Sequence, residues 1–438
     1  MQCLLVINFL MLSAYGQIIN KNVHQQVIFH SHNLQIKTYL TLFNTQEAAN
    51  RTEKFIFMVD PNMSDYRIFF KSYNTNLPLS YRKLDDYNIP DVDAFEVDLN
   101  QTATSDHIYQ IDINTFYFNQ IKSVKKLNDD KHVAVFHKNL HYYSPYSTFN
   151  FTKKFIYNNV FGDVEYSHQP DEETMLHIKY TSLFVPAFSY ELVSISYVTD
   201  EVFFEIENLE RTIEVSHFGF IIIQDKIRLA NKGSKMVGHF SPYQDLRLNS
   251  LRAVVPRSAR NFVFFDHLGK INTWKIEKNE DLNFFIYKIR TPLYGNWKSE
   301  YTIGYELPTE ECLFYQKNYE YEISIPILDS VFVGINIRKA KVNIIIPAMS
   351  EILFVKTPDY FRFDGVQNDY SRFPITGRTS LLFSGTNILK EDIANITVTY
   401  KFNTLYLLKV PSLLITQIYL GFCGAIFLLR LNTDFNKL

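Results

Sequence analysis

LQIKTYLTL, residues 34 to 42, carries the reading of the fold. Leu34, Ile36, Thr38, Leu40 and Leu42 fall on one side of an extended chain, with Gln35, Lys37, Tyr39 and Thr41 on the other. Strict alternation of this kind marks a strand with one buried and one wet face, the usual state of an antiparallel sheet. The pattern returns along the chain. Tyr321, Ile323, Ile325 and Ile327 alternate with Glu322 and Ser324, and Val342, Ile344 and Ile346 repeat it. Ile396, Val398, Tyr400 and Phe402 alternate with Thr397, Thr399 and Lys401. Asn231-Lys232-Gly233, His267-Leu268-Gly269 and Asp364-Gly365 supply turns between such runs. Amphipathic helices are few; residues 171–186 open like one and end like a strand.

The expected fold is therefore mainly β, with two antiparallel sandwich-like domains, residues 17–235 and 236–408, each built of sheet on sheet. The polar stretch 231–250, with Pro242, sets the expected border. Residues 359–378 read as a long loop within the second domain. No repeat of fixed period and no low-complexity tract is evident.

A chain of 438 residues is long enough for two or three domains. Lys and Arg number 44 and Asp and Glu 46, so no basic excess points to nucleic acid. Apolar residues make up 46% and aromatics 16%, mostly Phe and Tyr, a composition that suits packed strands. Of the three cysteines, Cys3 and Cys423 lie in apolar end segments and only Cys312 in the body. That excludes both an intrachain disulfide in the body and a CxxC zinc site.

The ends carry a topology. Residues 1–16 read as a signal peptide: an apolar run from Cys3 to Leu12, then Ala14 and Gly16 as small residues before a cut at Gln17, though no Lys or Arg precedes the run. Val410 to Leu429 is free of charge and bracketed by Lys409 and Arg430. At about 1.5 Å per residue it reaches about 30 Å, the thickness of a bilayer core. The reading is a type I protein with a lumenal body, one transmembrane helix at 410–429 and a short cytosolic tail at 430–438. Within the span, Gly421, Gly424 and Ala425 offer a small-residue face for another helix, and Thr416 and Gln417 favour a protein neighbour over lipid.

Catalytic signals are absent: no HExxH, GxSxG, Walker loop or GxGxxG occurs. Asp91-Val92-Asp93 forms a DxD, a triplet that binds metal and sugar nucleotide in some glycosyltransferases; it reads here as a solvated acidic loop. His30 and His32 share one face of an expected strand without a third ligand, and read as surface histidines. Glu310 and Glu311 are adjacent and so point apart. No catalytic residue, cofactor site or metal site is expected. Five N-x-S/T sequons, at Asn50, Asn62, Asn100, Asn150 and Asn395, are glycosylation candidates in a lumenal body.

PLYGNWKSEYTIGYELP, residues 292–308, resembles a block of the ribophorin I family. Pro292, Leu293, Gly295, Trp297, Lys298, Gly304, Tyr305, Leu307 and Pro308 match, while Asn296 replaces a Gly. Asn tolerates positive φ, so the turn survives the exchange. RTIEVSHFGF from Arg211 is similar to a second block, with Phe218 in place of a Trp and, further on, Pro242 in place of an Arg. VPRSARNFVFFDHLGKINT and ITVTYKFNTLYLLKVPSLLI are similar to two more, in the family's order. Residues 17–200 match loosely. Trp297 reads as structural, pinning the turn to the sheet beneath.

The resemblance implies a non-catalytic subunit of the oligosaccharyltransferase of the endoplasmic reticulum membrane. That complex transfers a preassembled oligosaccharide from dolichyl diphosphate to Asn of N-x-S/T in nascent proteins. The implied partners are the other subunits, a polytopic catalytic one among them, and nascent polypeptides. Some members carry a cytosolic domain after the span, and its ribosome contacts are not carried over to a chain that ends at Leu438. Phe435 and Asn436 stand where a dilysine retention signal would be, so residence in the endoplasmic reticulum is expected to follow from assembly. A single-span cell-surface receptor or adhesion ectodomain is the alternative, and a lumenal enzyme using Asp91 and Asp93 a second one.

Overall fold

The computed structural model describes residues 18–435 apart from 45–53, 62, 64, 85–91, 100–102, 106–107, 129–130, 158–159, 236–246, 279–282, 329–335, 372–376 and 390–393. Chain contacts gather into two compact units. Unit 1 is Met1–Phe204 with Asn231–Leu248 and Pro292–Trp297; unit 2 is Glu205–Ala230, Asn249–Thr291 and Lys298–Leu438. The border expected at 235/236 falls inside a segment that packs with unit 1, while Glu205–Ala230 packs with unit 2.

The strands up to residue 199 are β1 Ile18–His30, β2 Asn33–Asn44, β3 Lys54–Met58, β4 Tyr66–Ser72, β5 Tyr81–Leu84, β6 Ala94–Asp98, β7 Ala103–Ser105, β8 Ile108–Tyr117, β9 Lys122–Asn128, β10 Lys131–Asn139, β11 Thr148–Ile156, β12 Val160–Tyr166, β13 Glu172–Glu173, β14 His177–Val185 and β15 Leu192–Thr199. They form a large sheet ordered β13-β14-β11-β1-β2-β8-β4, with β7 on β8, a four-stranded sheet β12-β15-β10-β9 and a three-stranded sheet β3-β6-β5. β1 and β2 are a long hairpin, Phe29 opposite Leu34 and Val23 opposite Leu40. The large sheet packs on both smaller ones through aromatic rings. Phe29 lies 5.5 Å from Phe136 and 5.6 Å from Tyr197, and Phe57 lies 5.4 Å from Phe70.

The later strands are β16 Phe204–Val215, β17 Phe220–Asn231, β18 Arg247–Leu248, β19 Leu251–Val255, β20 Arg260–Asp266, β21 Gly269–Lys270, β22 Trp274–Lys278, β23 Asn283–Tyr287, β24 Leu293–Tyr294, β25 Lys298–Pro308, β26 Leu313–Tyr315, β27 Glu320–Pro326, β28 Ile337–Ile345, β29 Glu351–Lys356, β30 Arg362–Asp369, β31 Arg378–Ile388 and β32 Asn395–Lys401. Their sheets run β30-β31-β28-β16-β17-β25-β20-β21, β26-β27-β32-β29 and β19-β23-β22, and β18 pairs with β24. β30 occupies much of 359–378, where a loop was expected: it is an edge strand whose side chains are mostly exposed, so burial leaves no alternation to read. The short helix α1 is Thr309–Cys312, and the chain ends in a 3-10 turn, Thr404–Leu408, and the helix α2, Lys409–Phe435.

Setting β16, β17, β19, β20, β22, β23 and β25–β32 against β1–β6 and β8–β15, in order, superposes the three sheet orders strand for strand. β1 pairs with β11 in parallel, and its counterpart β16 pairs with β28 in parallel. The two units share one topology. The mainly β, largely antiparallel sandwich expected from the sequence is the observed fold, followed by one apolar helix. The alternating runs lie as expected save that Tyr321 is only half-buried and Gln35, expected outward, is buried. Leu34, Ile36, Thr38, Leu40 and Leu42 are buried, as are Ile323, Ile325, Ile327, Val342, Ile344, Ile346, Ile396, Val398, Tyr400 and Phe402.

Candidate functional site

The PLYGNW turn is held by Asn231, which the sequence marks only as part of a turn. Beyond the rung that pairs Ala230 with Lys298, the Asn231 N–H donates to the Trp297 carbonyl at 2.9 Å. The Asn231 carbonyl accepts from Asn296 N at 2.9 Å, Nδ2 donates to the Leu293 carbonyl at 3.0 Å, and Oδ1 accepts from Gly233 N at 2.8 Å. Trp297 N closes the turn on the Tyr294 carbonyl at 3.0 Å, with Asn296 at φ 65°. This is the left-handed position that favours Gly or Asn. A Cβ on Gly295 would stand 1.9 Å from the Ser234 carbonyl oxygen, so only Gly fits. Trp297 itself is 46% exposed and lies edge-on to Tyr294, ring centroids 5.1 Å apart. The indole does not bury itself in a sheet; backbone closure by Asn231 fixes the turn.

Each unit carries a polar pair inside its central hairpin. In unit 2, Arg211 on β16 meets Asp225 on β17, both side chains fully buried. Nε and Nη2 donate to the carboxylate at 2.7 and 2.8 Å, and Nη1 donates to the Pro326 and Ile327 carbonyls at 3.4 and 3.3 Å. Counting inward residues back from the hairpin, Gln25 and Thr38 are the unit 1 counterparts, and Gln25 Nε2 donates to Thr38 Oγ1 at 3.1 Å. Unit 1 buries its charge elsewhere. Lys138 pairs with Asp60 at 2.7 Å, its ammonium 3.5 Å from the Tyr117 ring centroid. Lys153, opposite Gln25 on β11, donates to the Asn139 carbonyl at 2.7 Å. Burial pulls the Lys153 ammonium down to about 7, against Asp60 and with help from Lys138.

The residues singled out for chemistry are mostly engaged. Asp91 lies outside the described residues. Asp93 pairs with Lys83 at 2.7 Å and accepts a hydrogen bond from the Tyr66 hydroxyl. Burial pushes its carboxyl up, but those two donors outweigh it and hold it below the usual range. Glu311 accepts from Ser258 Oγ at the start of α1. His30 is exposed and bonded to Gln35 Oε1 at 3.0 Å, as a surface histidine should be. His32 is not one: it leaves the strand in a turn and is 1% exposed. Burial lowers its pKa to about 4, and Lys232 pushes the same way. Among the described residues no group of three His, Cys, Asp or Glu side chains is placed to hold a metal.

Asn50, Asn62 and Asn100 lie outside the described residues. Asn150 is exposed on β11, its Nδ2 donating to Asn22 Oδ1 at 3.0 Å, and Asn395 is exposed at the head of β32, donating to Ser324 Oγ at 3.3 Å. Thr404–Arg430 is long and apolar enough to cross a membrane. A Cβ on Gly421 or Gly424 would meet nothing within 4 Å.

The description of the ribophorin I family matches residues 18–429. The chain belongs to the ribophorin I family. A Caenorhabditis elegans relative, dolichyl-diphosphooligosaccharide–protein glycosyltransferase subunit 1, is 32% identical over 238 residues, 52% of this chain and 40% of the relative. Subunit 1A of Arabidopsis thaliana is 25% identical over 386 residues, 84% of this chain and 61% of the relative. The chain thus spans about half the length of these two members. Leukotriene A4 hydrolase from Saccharomyces cerevisiae overlays with a TM-score of 0.29 at 10% identity, over 45% of this chain and 32% of that one, too little to carry an argument. The ribophorin I block at 292–308 straddles both units: Pro292–Trp297 forms the closed turn and Lys298–Pro308 is β25.

Proposed function

We propose that the chain is an accessory subunit of an oligosaccharyltransferase, anchored in the endoplasmic reticulum membrane by α2 with both units in the lumen. On this reading residues 1–16 are a cleaved signal, and the complex transfers oligosaccharide from dolichyl diphosphate to Asn of nascent N-x-S/T. The observation that carries it is the family match over residues 18–429 together with the names borne by the worm and plant relatives. A non-catalytic role, with catalysis in a polytopic partner, is supported by the engagement of Asp93 and Glu311 in structural contacts. Gly421, Gly424 and Ala425 are the proposed seam for a partner helix.

Affinity capture of the tagged full chain in mild detergent tests the assignment. Recovery of a multispan glycosyltransferase is the expected result; a chain recovered alone overturns it. Asn150→Gln and Asn395→Gln should each remove one endoglycosidase-sensitive glycan. Resistance of both glycans to high-mannose-specific cleavage would indicate a cell-surface protein. Gly421→Leu with Ala425→Leu should weaken partner recovery without preventing membrane insertion.

A further inference from the structure

The four-stranded sheet of unit 2 ends in an apolar tip where the chain enters α2. Lys401, the last residue of β32, pairs with Glu320 at the start of β27 and with Glu351 at the start of β29. The turns that precede β27 and β29 therefore lie at the sheet edge from which the chain leaves. The Phe402 N–H donates to the Tyr319 carbonyl at 2.9 Å, so the exit is tied to one of these turns. Asn403 Oδ1 then accepts from Leu405 N at 3.0 Å and starts the 3-10 turn.

Both turns hold an apolar residue where the backbone disfavours one. In the first, Glu320 N closes on the Lys317 carbonyl, and Asn318 and Tyr319 have φ of 56° and 64°. Two left-handed central residues are the hairpin geometry that Asn-Gly fills without strain; Tyr stands in the Gly place. In the second, Ser350 N closes on the Pro347 carbonyl and Met349 has φ 66°. A bulky residue in this region is an outlier that calls for a reason. Neither is held there by burial, since Tyr319 is 52% and Met349 53% exposed. Tyr315, Leu405, Tyr406 and Leu408 are exposed at the same end.

We propose that this end of the sheet is a foot that rests in the lumenal headgroup layer, with Tyr319 and Met349 inserted. The proposal rests on reading α2 as a membrane span. In water such tips gain nothing from apolar side chains. At a bilayer surface a tyrosine buries its ring and keeps its hydroxyl wet, and a methionine is fully accommodated. Distance agrees. The five-residue 3-10 turn covers about 10 Å, comparable with the roughly 5–8 Å of headgroup layer on each side of the hydrocarbon. The foot is continuous with the span, and two turns plus a helix fix three points of contact. They would set the tilt of unit 2 on the membrane where a single flexible connection would not.

The test places one added tryptophan at a time in the full chain, reconstituted in phosphatidylcholine vesicles with or without brominated acyl chains. Tyr319→Trp and Met349→Trp should each lose about half of their added fluorescence, as interfacial aromatics would. Leu268→Trp, on an exposed hairpin of another sheet, should be unaffected, and Phe422→Trp, inside α2, should be quenched most. If Phe422→Trp is quenched while positions 319 and 349 behave like 268, the foot is wrong and the span stands. If Phe422→Trp is not quenched, span and foot fall together. Because an added indole can disrupt a strained turn, the unmodified chain supplies a second readout. A photoreactive headgroup lipid should label the segments around Tyr319 and Met349 in the parent. The paired Tyr319→Gly, Met349→Gly change, which relaxes both turns, should lose that label; equal labelling of both proteins, or none of either beside a labelled helix, overturns the proposal.

Discussion

The two units answer the same topology with different buried chemistry. At the centre of unit 1, Gln25 on β1 bonds to Thr38 on β2, and Lys153 stands opposite Gln25 on β11. In the same three places unit 2 has Arg211, Asp225 and Val342. A neutral pair beside a buried cation has become an ion pair beside a valine. The difference is one of satisfaction. Every nitrogen of the Arg211 guanidinium has an acceptor, and its counter-charge is in contact. A buried pair of this kind adds little net stability over an apolar substitute, yet its halves cannot be separated cheaply. Lys153 has a carbonyl acceptor and only a partial offset from the Asp60 carboxylate, which Lys138 already pairs, so burial favours release of its proton.

The largest effect follows from splitting the unit 2 pair. Asp225→Ala leaves the Arg211 guanidinium buried without its counter-ion and should cost about 3–5 kcal/mol. Thr38→Val, at the equivalent place in unit 1, should cost about 1 kcal/mol, the value of one neutral hydrogen bond. Denaturant unfolding with hydrogen exchange on the β1/β2 and β16/β17 amides separates the two. Transplanting the unit 1 solution, Arg211→Gln with Asp225→Thr, should recover much of the loss of either single change in a double-mutant cycle. Equal costs for the two single substitutions would show that the ionic and neutral pairs are equivalent after all.

The next effect is a pH dependence confined to unit 1. Lys153 has its folded pKa lowered to about 7 from 10.5. Between those values the unfolded chain holds a proton that the folded chain has released. Stability therefore rises with pH from about 7 to 10.5 and is lost again as pH falls toward 7, by about 5 kcal/mol at most. Lys153→Val, which installs the unit 2 residue, should flatten that limb and stabilise the protein below pH 7. A thermal-midpoint series from pH 7 to 10 on parent and variant reads it directly. An unchanged slope would assign the pH dependence to other groups.

Much of this was legible in the residues, and what was not has a physical reason. Alternation identified the inward faces of β2, β27, β28 and β32, because period two survives any exchange of one apolar residue for another. The duplication did not show, since a strand needs only the right face in the right place, and β1 and β16 share no residue type at their inward positions from Val23 to Phe29 and Leu209 to Val215 save valine. Arg211 and Asp225 had a signal that went unused: opposite charges in inward registers of two successive strands. Asn231 was read only as part of a turn, because its bonds reach residues some sixty positions away. His32 was placed on a strand face that ends two residues earlier, and Ser31 at φ 55° turns the chain inward. Trp297 drew attention by its size, whereas Gly295 carried the geometric constraint.

Gly295→Ala should therefore cost more than its size suggests. The added methyl would meet backbone, the Ser234 carbonyl, which cannot rotate away. Gly304 in β25 is a fair comparison: there the nearest atom is a side-chain methyl, Val263 Cγ2 at 2.8 Å, next to Gln224 Cγ. A loss of about 2–3 kcal/mol is expected for Gly295→Ala and about 1 kcal/mol for Gly304→Ala, since overpacking is costly where the neighbour is rigid. Hydrogen exchange at Asn231, Asn296 and Trp297 should report the first and leave β20 and β25 protected. Comparable losses at both positions would mean that the 231–297 closure yields as easily as a side chain.

A further effect separates the units at acid pH. Among the described residues unit 1 buries two histidines, His32 and His132, with ring centroids 6.2 and 4.8 Å from that of Phe203. Burial lowers the pKa of each to about 4; Lys232 adds to the effect at His32, and Asp200 opposes it at His132. Among the described residues unit 2 has one comparable group, His217, half-buried against Tyr321 and Phe402, bonded to the Tyr400 hydroxyl at 3.0 Å and also lowered by burial to about 4. In all three the unfolded chain binds a proton near pH 6.5 and the folded chain does not until about 4, so stability is full above 6.5 and falls as pH drops toward 4. Burial also lowers His24 and His141 in unit 1, so four such groups against one among the described residues should make unit 1 open first on acidification, with amides of β1 and β10 exchanging before those of β27 and β32. His132→Phe, which fits the aromatic contact without a titrating ring, should move the acid transition of unit 1 toward that of unit 2 while leaving the alkaline limb from Lys153 in place. If both limbs shift together, the histidines and the lysine belong to one coupled cluster, and the acid and alkaline responses of unit 1 cannot be assigned separately.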